Sequence, residues 1–534
     1  MPLPVPGSRL PFALRRASYR FAAVLSAAAL LAAGCSAESS SEGDEPAPTP
    51  TSSGAPSVSD PETTAPMPAA PRGLARFYRQ DVTWQPCADG FECTKVQVPL
   101  DYRDPAGDTV GIAVSRRPAD DPDRRIGAML VNPGGPGVSG ITFAPVAAQQ
   151  FSSDVLDRYD IVGFSPRGVA TSEGVDCLSD AELDRFVALD PTPDDDAAVA
   201  ESQQTLARFG QGCVDGSGAL AGHVSTPEAA RDMDVIRSVL GSPKMNYYGA
   251  SYGTLLGSTY ADLFPKRVGA MVLDGAIDAS LSATRSALQQ AEGFQTALDA
   301  YLENCVAQGD CPLGDTVAAA QDGLIDLLAQ IDAEPVPAGT RTLTVGHAML
   351  GTWLPLYVPE LWPALTGALQ AAGEGKGGPL LRLADLYVSR GPTGYQDNSI
   401  EALYAVNCLD QPKTLTAARV RRLLPQFREA SPVYGEVFAW GLLGCPQWPV
   451  SAPQPIPDID AAGAPPIVVV GTTGDPATPY ESAVALARQL RSGVLVTRVG
   501  EGHTGFARGN ACVDDAINGF FADRDVPEDG LRCS

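Results

Sequence analysis

The pentapeptide Gly249-Ala-Ser-Tyr-Gly253 carries the clearest chemical signal in the chain. A short apolar run, Met245 to Tyr248, enters it, and a helix-like segment from Thr254 to Phe264 leaves it, stopped by Pro265. A serine at such a strand-to-helix turn is an exposed nucleophile on a strained elbow. Glycine on both sides lets the entering strand and the departing helix approach more closely than a Cβ allows. Taken alone, the same five residues also describe a glycine-rich turn with an idle serine, so the rest of the chain has to supply the partners.

A hydroxyl nucleophile at neutral pH needs a base to take its proton and a carboxylate to orient that base. The sequence holds three histidines. His223 precedes a predicted helix, His347 falls in a helix-rich region, and His503 follows the last predicted strand in Val499-Gly-Glu-Gly-His-Thr-Gly505. His503 alone stands at the carboxyl end of a sheet strand, where the loops of open α/β sheets carry catalytic groups. The preceding strand runs into Gly471-Thr-Thr-Gly-Asp-Pro-Ala-Thr-Pro479, and Asp475 is the expected acid. The order Ser251, Asp475, His503 places nucleophile, orienting acid and base on strand ends. Glu501 is a second carboxylate nearby, but it precedes His503 by only two residues and is expected to face solvent. An acyl-transfer transition state also needs donors for its oxyanion. The glycines of Asn132-Pro-Gly-Gly-Pro-Gly-Val-Ser-Gly140 let backbone N–H groups turn inward, and Gly135 and Tyr252 are the expected donors. A phosphate-binding loop would show Gly-Lys-Ser/Thr here, and Pro133 and Pro136 each remove an N–H.

These residues need a sheet to hold them. Cys93 to Tyr102 and Thr109 to Arg116 read as an antiparallel pair joined by a turn-rich link, and Ile126 to Asn132 and Tyr159 to Phe164 as short apolar strands buried in a parallel sheet. A helix is expected from Thr226 to Leu240, with Thr226 as N-cap, Pro227 at its first position and Gly241 past its end. Arg267 to Gly275 is a further strand, followed only much later by Ile467 to Val470 and Val494 to Thr497. The intervening stretch is helical by pattern at Arg285 to Val306, Val317 to Ile331, Leu380 to Tyr387 and Ala417 to Glu429, and carries Trp353, Tyr357 and Trp362. It reads as a lid inserted between late strands of an α/β core.

With 534 residues, 44% of them hydrophobic, the chain can bury a large core. Its net charge of −25 would repel a phosphate backbone, so no nucleic-acid partner is expected. Arg9, Arg15, Arg16 and Arg20 precede an apolar run from Phe21 to Ala33, the layout of an export signal. Leu31-Ala-Ala-Gly-Cys35 resembles a lipobox, in which Cys35 is acylated; Ala32 stands where Leu is commoner, and ordinary signal-peptidase cleavage nearby is the alternative. The Pro, Ser, Thr and acid-rich segment that follows can bury almost nothing and reads as a solvated tether, about 100 Å long if extended at roughly 3 Å per residue. Beyond Cys35 lie Cys87, Cys93, Cys177, Cys213, Cys305, Cys311, Cys408, Cys445, Cys512 and Cys533. An even number in an exported chain indicates disulfides, and neighbour pairing is the simplest expectation. No C-x-x-C is present and histidine is scarce, so no metal and no cofactor are expected.

Five motifs together carry a family resemblance: Asn132-Pro-Gly-Gly-Pro-Gly137, Gly163-Phe-Ser-Pro-Arg-Gly168, Asn246-Tyr-Tyr-Gly-Ala-Ser-Tyr-Gly-Thr254, Ala405-Val-Asn-Cys-Leu-Asp410 and Gly474-Asp-Pro-Ala-Thr-Pro479. From Leu74 to Ser534 the chain resembles secreted tripeptidyl aminopeptidases, relatives of proline iminopeptidases in the α/β-hydrolase superfamily. It departs at Ser165, where relatives carry Asp, and at Ala170, where Gly is usual. The resemblance implies an α/β-hydrolase fold and release of di- or tripeptides from free N-termini. The expected layout is a signal peptide over 1–34, a tether over 35–72, core over 73–278 and 456–534, and a helical lid over 279–455. An exopeptidase must present a carboxylate to the substrate ammonium. The family-like segment offers Asp410 first and Glu401 second, held by a Cys408 to Cys445 bridge. Peptide or protein N-termini are then the substrate, and any membrane contact runs through the lipid anchor on an exported protein. A carboxylesterase or lipase using the same three residues is the alternative enzyme, and a silent binding protein on the same scaffold a third reading.

Overall fold

The computed structural model describes residues 66–534 except 89, 412–414 and 446–447. The expected signal, Cys35 and all but the end of the tether lie outside the described residues. Strands follow the apolar runs closely: β1 (Gln85–Ala88), β2 (Phe91–Pro99), β3 (Thr109–Arg117), β4 (Gly127–Asn132), β5 (Tyr159–Phe164), β6 (Met245–Ala250) and β7 (Val268–Asp274). Two small hairpins, β8 (Val336–Ala338) with β9 (Arg341–Leu343) and β10 (Arg390–Gly391) with β11 (Gly394–Tyr395), interrupt the sheet. The chain then returns through β12 (Ile467–Gly474), β13 (Gly493–Glu501) and β14 (Leu531–Cys533). The ten-stranded sheet has the order β1-β2-β3-β5-β4-β6-β7-β12-β13-β14. Its first strands pair antiparallel as expected, and every pair from β5–β4 to β13–β14 is parallel.

Continuous apolar runs are needed because helices cover both faces of this sheet. Along β12 the side chains alternate between two cores: Ile467 and Val469 join one cluster, Val468 and Val470 the other. β4 divides in the same way, with Ala128 and Leu130 on one side and Met129 and Val131 on the other. The Thr226–Val239 and Tyr252–Leu263 helices pack on the first face, and the Gly140–Gln150 and Ala511–Asp523 helices on the second. The Thr226–Val239 helix begins where expected, but Ser225 is its N-cap. Thr226 is one residue inside, its N–H and hydroxyl both committed to Asp410.

Between β7 and β12 the chain builds helices around a cluster of its own, centred on Leu298, Leu302, Leu328, Leu356 and Leu369. The four predicted helices are present as Ala283–Ala307, Val317–Ala333, Gly378–Tyr387 and Ala417–Ala430. Four more, Val345–Tyr357, Trp362–Gly373, Ser399–Asp410 and Gly435–Gly441, were not anticipated. Val345–Tyr357 contains Gly346, Gly351 and Pro355 and buries residues on most sides, so neither the expected periodicity nor uninterrupted helix formers mark it. The ten cysteines form five sequence-neighbour disulfides, 87–93, 177–213, 305–311, 408–445 and 512–533.

Arg167, from the Ser-Pro-Arg-Gly motif, lies wholly buried and pairs two-pronged with Asp232, both bonds at 2.7 Å. It also donates to the carbonyls of Pro99, Leu100 and His223, which fastens the end of β2 to the loop before the Thr226–Val239 helix. Removing one partner of such a pair strands a charge in the interior. Arg167→Leu is therefore expected to lower stability by about 3–5 kcal/mol in urea unfolding. A loss under about 1 kcal/mol would mean that Asp232 has no need of this guanidinium.

Candidate active site

Residues 245–250 and 252–261 are buried throughout, and Ser251 between them reaches the surface. Its backbone sits at φ 58°, ψ −127°, a conformation that L-residues avoid and that persists only where the surroundings enforce it. Three contacts do so. Ser251 N–H donates to Asp274 O at 2.8 Å, and Ser251 O accepts from both Thr254 N (2.8 Å) and Thr254 Oγ1 (2.6 Å). At Gly253 a Cβ would lie 2.9 Å from Asn132 O, so the glycine is required by the approach of β4 to the elbow.

The loop after β4 rests on the same turn. A Cβ on Gly134 (φ 98°) would fall 2.7 Å from Ser251 Cβ and 2.9 Å from Tyr252 N. Gly134 donates its own N–H to Asn132 Oδ1, and Gly135 N–H makes no hydrogen bond among the described residues. Tyr252 opens the helix, so its N–H has no carbonyl one turn back and points with the positive end of the helix dipole. Of the two departures from the family pattern, Ser165 borders this loop, its Oγ bonded to Ser139 Oγ at 2.6 Å, and Ala170 holds φ 45°, the reason glycine is usual there.

His503 Nδ1 lies 2.8 and 2.9 Å from the two carboxylate oxygens of Asp475. Asp475 is 2% exposed and also accepts from Ala477 N, Thr478 N, Thr504 N and Thr478 Oγ1 at 2.9–3.1 Å. Burial alone would push its carboxyl up; the charge and hydrogen bond of His503 and the amides of Thr478 and Thr504 outweigh this and hold it below the ordinary carboxylate range. Thr478 was assigned no role from sequence, although it stands three residues after an Asp, where a side-chain-to-backbone turn is common. His503 N–H donates to Tyr357 O at 2.9 Å, and the Tyr357 ring stands edge-on to the imidazole, centroids 5.2 Å apart. Among the described residues no hydrogen bond joins Ser251 Oγ to His503; catalytic bonds of this type tighten when substrate is bound.

The other two histidines have different partners. His223 Nδ1 lies 2.8 Å from Glu228, and His347 closes a capping box with Thr344, its pKa drawn down to about 4 chiefly by burial. Glu501 does not face solvent as expected. It is half-buried against Gly474, which has no side chain to exclude it, and burial raises its carboxyl. Asp410 ends the Ser399–Asp410 helix and accepts from Thr226 N (2.9 Å) and Thr226 Oγ1 (2.6 Å); that hydroxyl lies 2.5 Å from Tyr252 OH. Asp410 therefore stands one hydroxyl away from the residue after Ser251. Burial pushes its carboxyl up to about 7, against the two Thr226 bonds and with a smaller push from Glu228. Glu401 is 6% exposed and gives Oε1 to the amides of Cys177 and Leu178, the part of a structural brace. Among the described residues Asp101, His223 and Glu228 bring ligand atoms within 4.8 Å of one another. Asp101 is already paired with Arg103 at 2.7 Å, and Glu228 stands 3.6 Å from Arg167.

A mostly parallel sheet with a serine elbow after β6 and a helical insertion before its last strands defines an α/β-hydrolase, and this chain is a serine hydrolase of that fold. The chain belongs to the TAP-like family of α/β-hydrolase serine peptidases: residues 431–533 match the family model described as "TAP-like protein". It is 39% identical over 476 residues to "Serine protease Hip1" of Mycobacterium tuberculosis, covering 85% of this chain and 91% of that protein. "Carboxylesterase B" of the same organism is 37% identical over 453 residues, 83% of this chain and 86% of that protein. "Tripeptidyl aminopeptidase" of Streptomyces lividans is 31% identical over 465 residues, 84% and 85% of the two chains. Among solved structures, proline iminopeptidase of Mycobacterium smegmatis aligns over 81% of this chain and 98% of its own at 13% identity and a TM-score of 0.34, so the fold rests on the strand order above.

Proposed function

We propose that this enzyme is an exported aminopeptidase that releases tri- or dipeptides from free N-termini through an acyl-enzyme. The pairing of His503 with a buried, multiply bonded Asp475 beside the Ser251 elbow is the observation that carries the hydrolytic part of this reading. Ser251 attacks the scissile carbonyl, His503 takes its proton and returns it to the leaving amine, and Asp475 holds the imidazole. Gly135 N–H and Tyr252 N–H receive the oxyanion. Residues 73–278 and 456–534 form the catalytic core, and 279–455 the lid that limits how far a peptide extends past Ser251.

Asp410 is the carboxylate assigned to the substrate ammonium. It is partly exposed, its second lone pairs remain available beyond Thr226, and through the Thr226 hydroxyl it is linked to the phenol of Tyr252, the residue after Ser251. Glu401 is the weaker candidate because it is buried, only 6% exposed, and its Oε1 braces the amides of Cys177 and Leu178. The relative named a carboxylesterase shares the scaffold, and the esterase reading differs in having no use for an ammonium anchor. Residues 1–34 are read as an export signal and 35–72 as a tether from an acylated Cys35. The five disulfides support an oxidising compartment, and among the described residues no helix is long and apolar enough to cross a membrane.

Three measurements test this. Ser251→Ala and His503→Ala should each remove turnover of peptide and ester while leaving a folded protein, and wild-type rates in Ser251→Ala would sink the assignment. Asp410→Asn should raise KM for free-amine peptides by about tenfold or more, the loss of one charge-assisted bond, and leave a small neutral ester untouched. The ammonium needs the ionised carboxylate, which predominates above its pKa of about 7 and is lost as pH falls through it. The ratio of peptide to ester kcat/KM should accordingly fall between about pH 7 and about pH 5 in the wild type, where the substrate amine (pKa about 8) is mostly protonated, and stay nearly flat in Asp410→Asn, the ester cancelling the histidine's own titration. Equal losses on both substrates would move the ammonium site elsewhere. Cys35→Ala should shift the protein from the membrane fraction to the medium or leave it as precursor, and an unacylated wild-type protein would overturn the anchor.

A further inference from the structure

Asp274 closes β7 between the strand that leads to the serine and the strand that leads to the acid, in register with Ala250 on β6 and Val470 on β12. Its side chain is wholly buried, and no Lys or Arg forms an ion pair with it among the described residues. A desolvated carboxylate is costly unless donors converge on it. Three do: Gly505 N to Oδ1 at 2.7 Å, and Phe506 N and Tyr248 OH to Oδ2 at 2.9 Å each. The two amides are the second and third after His503. The main-chain oxygen of the same residue accepts the Ser251 N–H at 2.8 Å. At the next residue, Gly275 (φ 69°), a Cβ would stand 3.3 Å from His503 Cε1 and 3.0 Å from Thr478 Oγ1. One dipeptide thus borders the nucleophile's amide, the imidazole and the threonine bonded to Asp475.

We propose that Asp274 is a positioning residue for hydrolysis, its carboxylate clamping the 503–506 loop so that His503 stays in register with the Ser251 elbow. The proposal rests on the reading of Ser251, Asp475 and His503 as a triad. Packing alone gives no reason for a charge here, since an apolar side chain would suit a strand end between two cores better. A pair of amides just past the histidine, which need an acceptor when buried, does give one. Phe506 also packs on Tyr248 and Phe151, centroids 5.6 and 5.2 Å apart, so the loop keeps an apolar anchor when the carboxylate is lost.

The test compares steady-state kinetics with the rate at which a fluorophosphonate labels Ser251, a reaction that needs the serine and histidine aligned but no peptide binding. In Asp274→Asn one acceptor becomes an NH2 group that faces donors. The expected result is a kcat lower by on the order of 100-fold, a KM within about threefold of wild type, and labelling slowed in step with kcat. A lower melting temperature with wild-type kcat and labelling would overturn the proposal, and so would a rise in KM alone. If Asp274→Asn does not fold, Gly505→Ala works from the other side. A Cβ there would lie 2.7 Å from Val470 Cγ1, displacing the amide from Asp274, and the same kcat-only loss is expected. Wild-type kinetics in that variant would overturn the clamp. Labelling of the wild type at a residue other than Ser251 would instead remove the triad reading on which the clamp depends.

Discussion

A carboxylate placed in a protein interior has to be surrounded by donors, and Asp475 is surrounded by five: two amides and a hydroxyl from its own turn, the amide of Thr504 and the ring of His503. The chain segments around it follow from that requirement. The Asp-Pro-Ala-Thr-Pro turn exists to return Thr478 to the carboxylate, and the loop after β13 bends at Thr504 (φ 70°) to bring an amide and an imidazole to the same two oxygens. An apolar side chain at 475 would leave these donors facing nothing, so the surrounding structure itself demands an acceptor at this position.

Much of this arrangement is legible in residue type. A parallel sheet covered on both faces buries its strands at nearly every position and so favours mostly apolar runs, and such runs stand out at β4, β5, β7 and β12. The ends of those runs are also where glycine, aspartate and histidine gather, because only loops can carry polar groups out of a dry interior. The elbow, the acid and the histidine were visible for that reason. Thr478 and Asp274 were not. A threonine in a turn and an aspartate ending a strand are ordinary, and what distinguishes them is the set of donors and acceptors contributed by segments far away in sequence.

The helical insertion was legible as helix but not in detail. Its missed helices carry glycine or proline inside, or bury nearly every side, so the three-to-four spacing of a half-solvated helix is absent. Ser399–Asp410 shows the difficulty well. Its residues match a family motif, yet Glu401 braces the backbone at Cys177 and Leu178 while Asp410 engages Thr226 on another helix. Two acids nine positions apart on one helix point to different neighbours, which no one-dimensional pattern distinguishes.

The insertion is also more than a cover. Tyr357, at the end of the Val345–Tyr357 helix, gives its carbonyl to the His503 amide and lays its ring against the imidazole. The Tyr357 carbonyl would otherwise be an orphan at a helix terminus, and the His503 amide an unsatisfied donor beside a glycine, so each completes the other. That bond ties this corner of the insertion to the 502–506 loop. An opening that keeps the histidine's backbone held by this bond would hinge elsewhere in the insertion. The parts of the insertion free to adapt are those that do not touch residues 502–506.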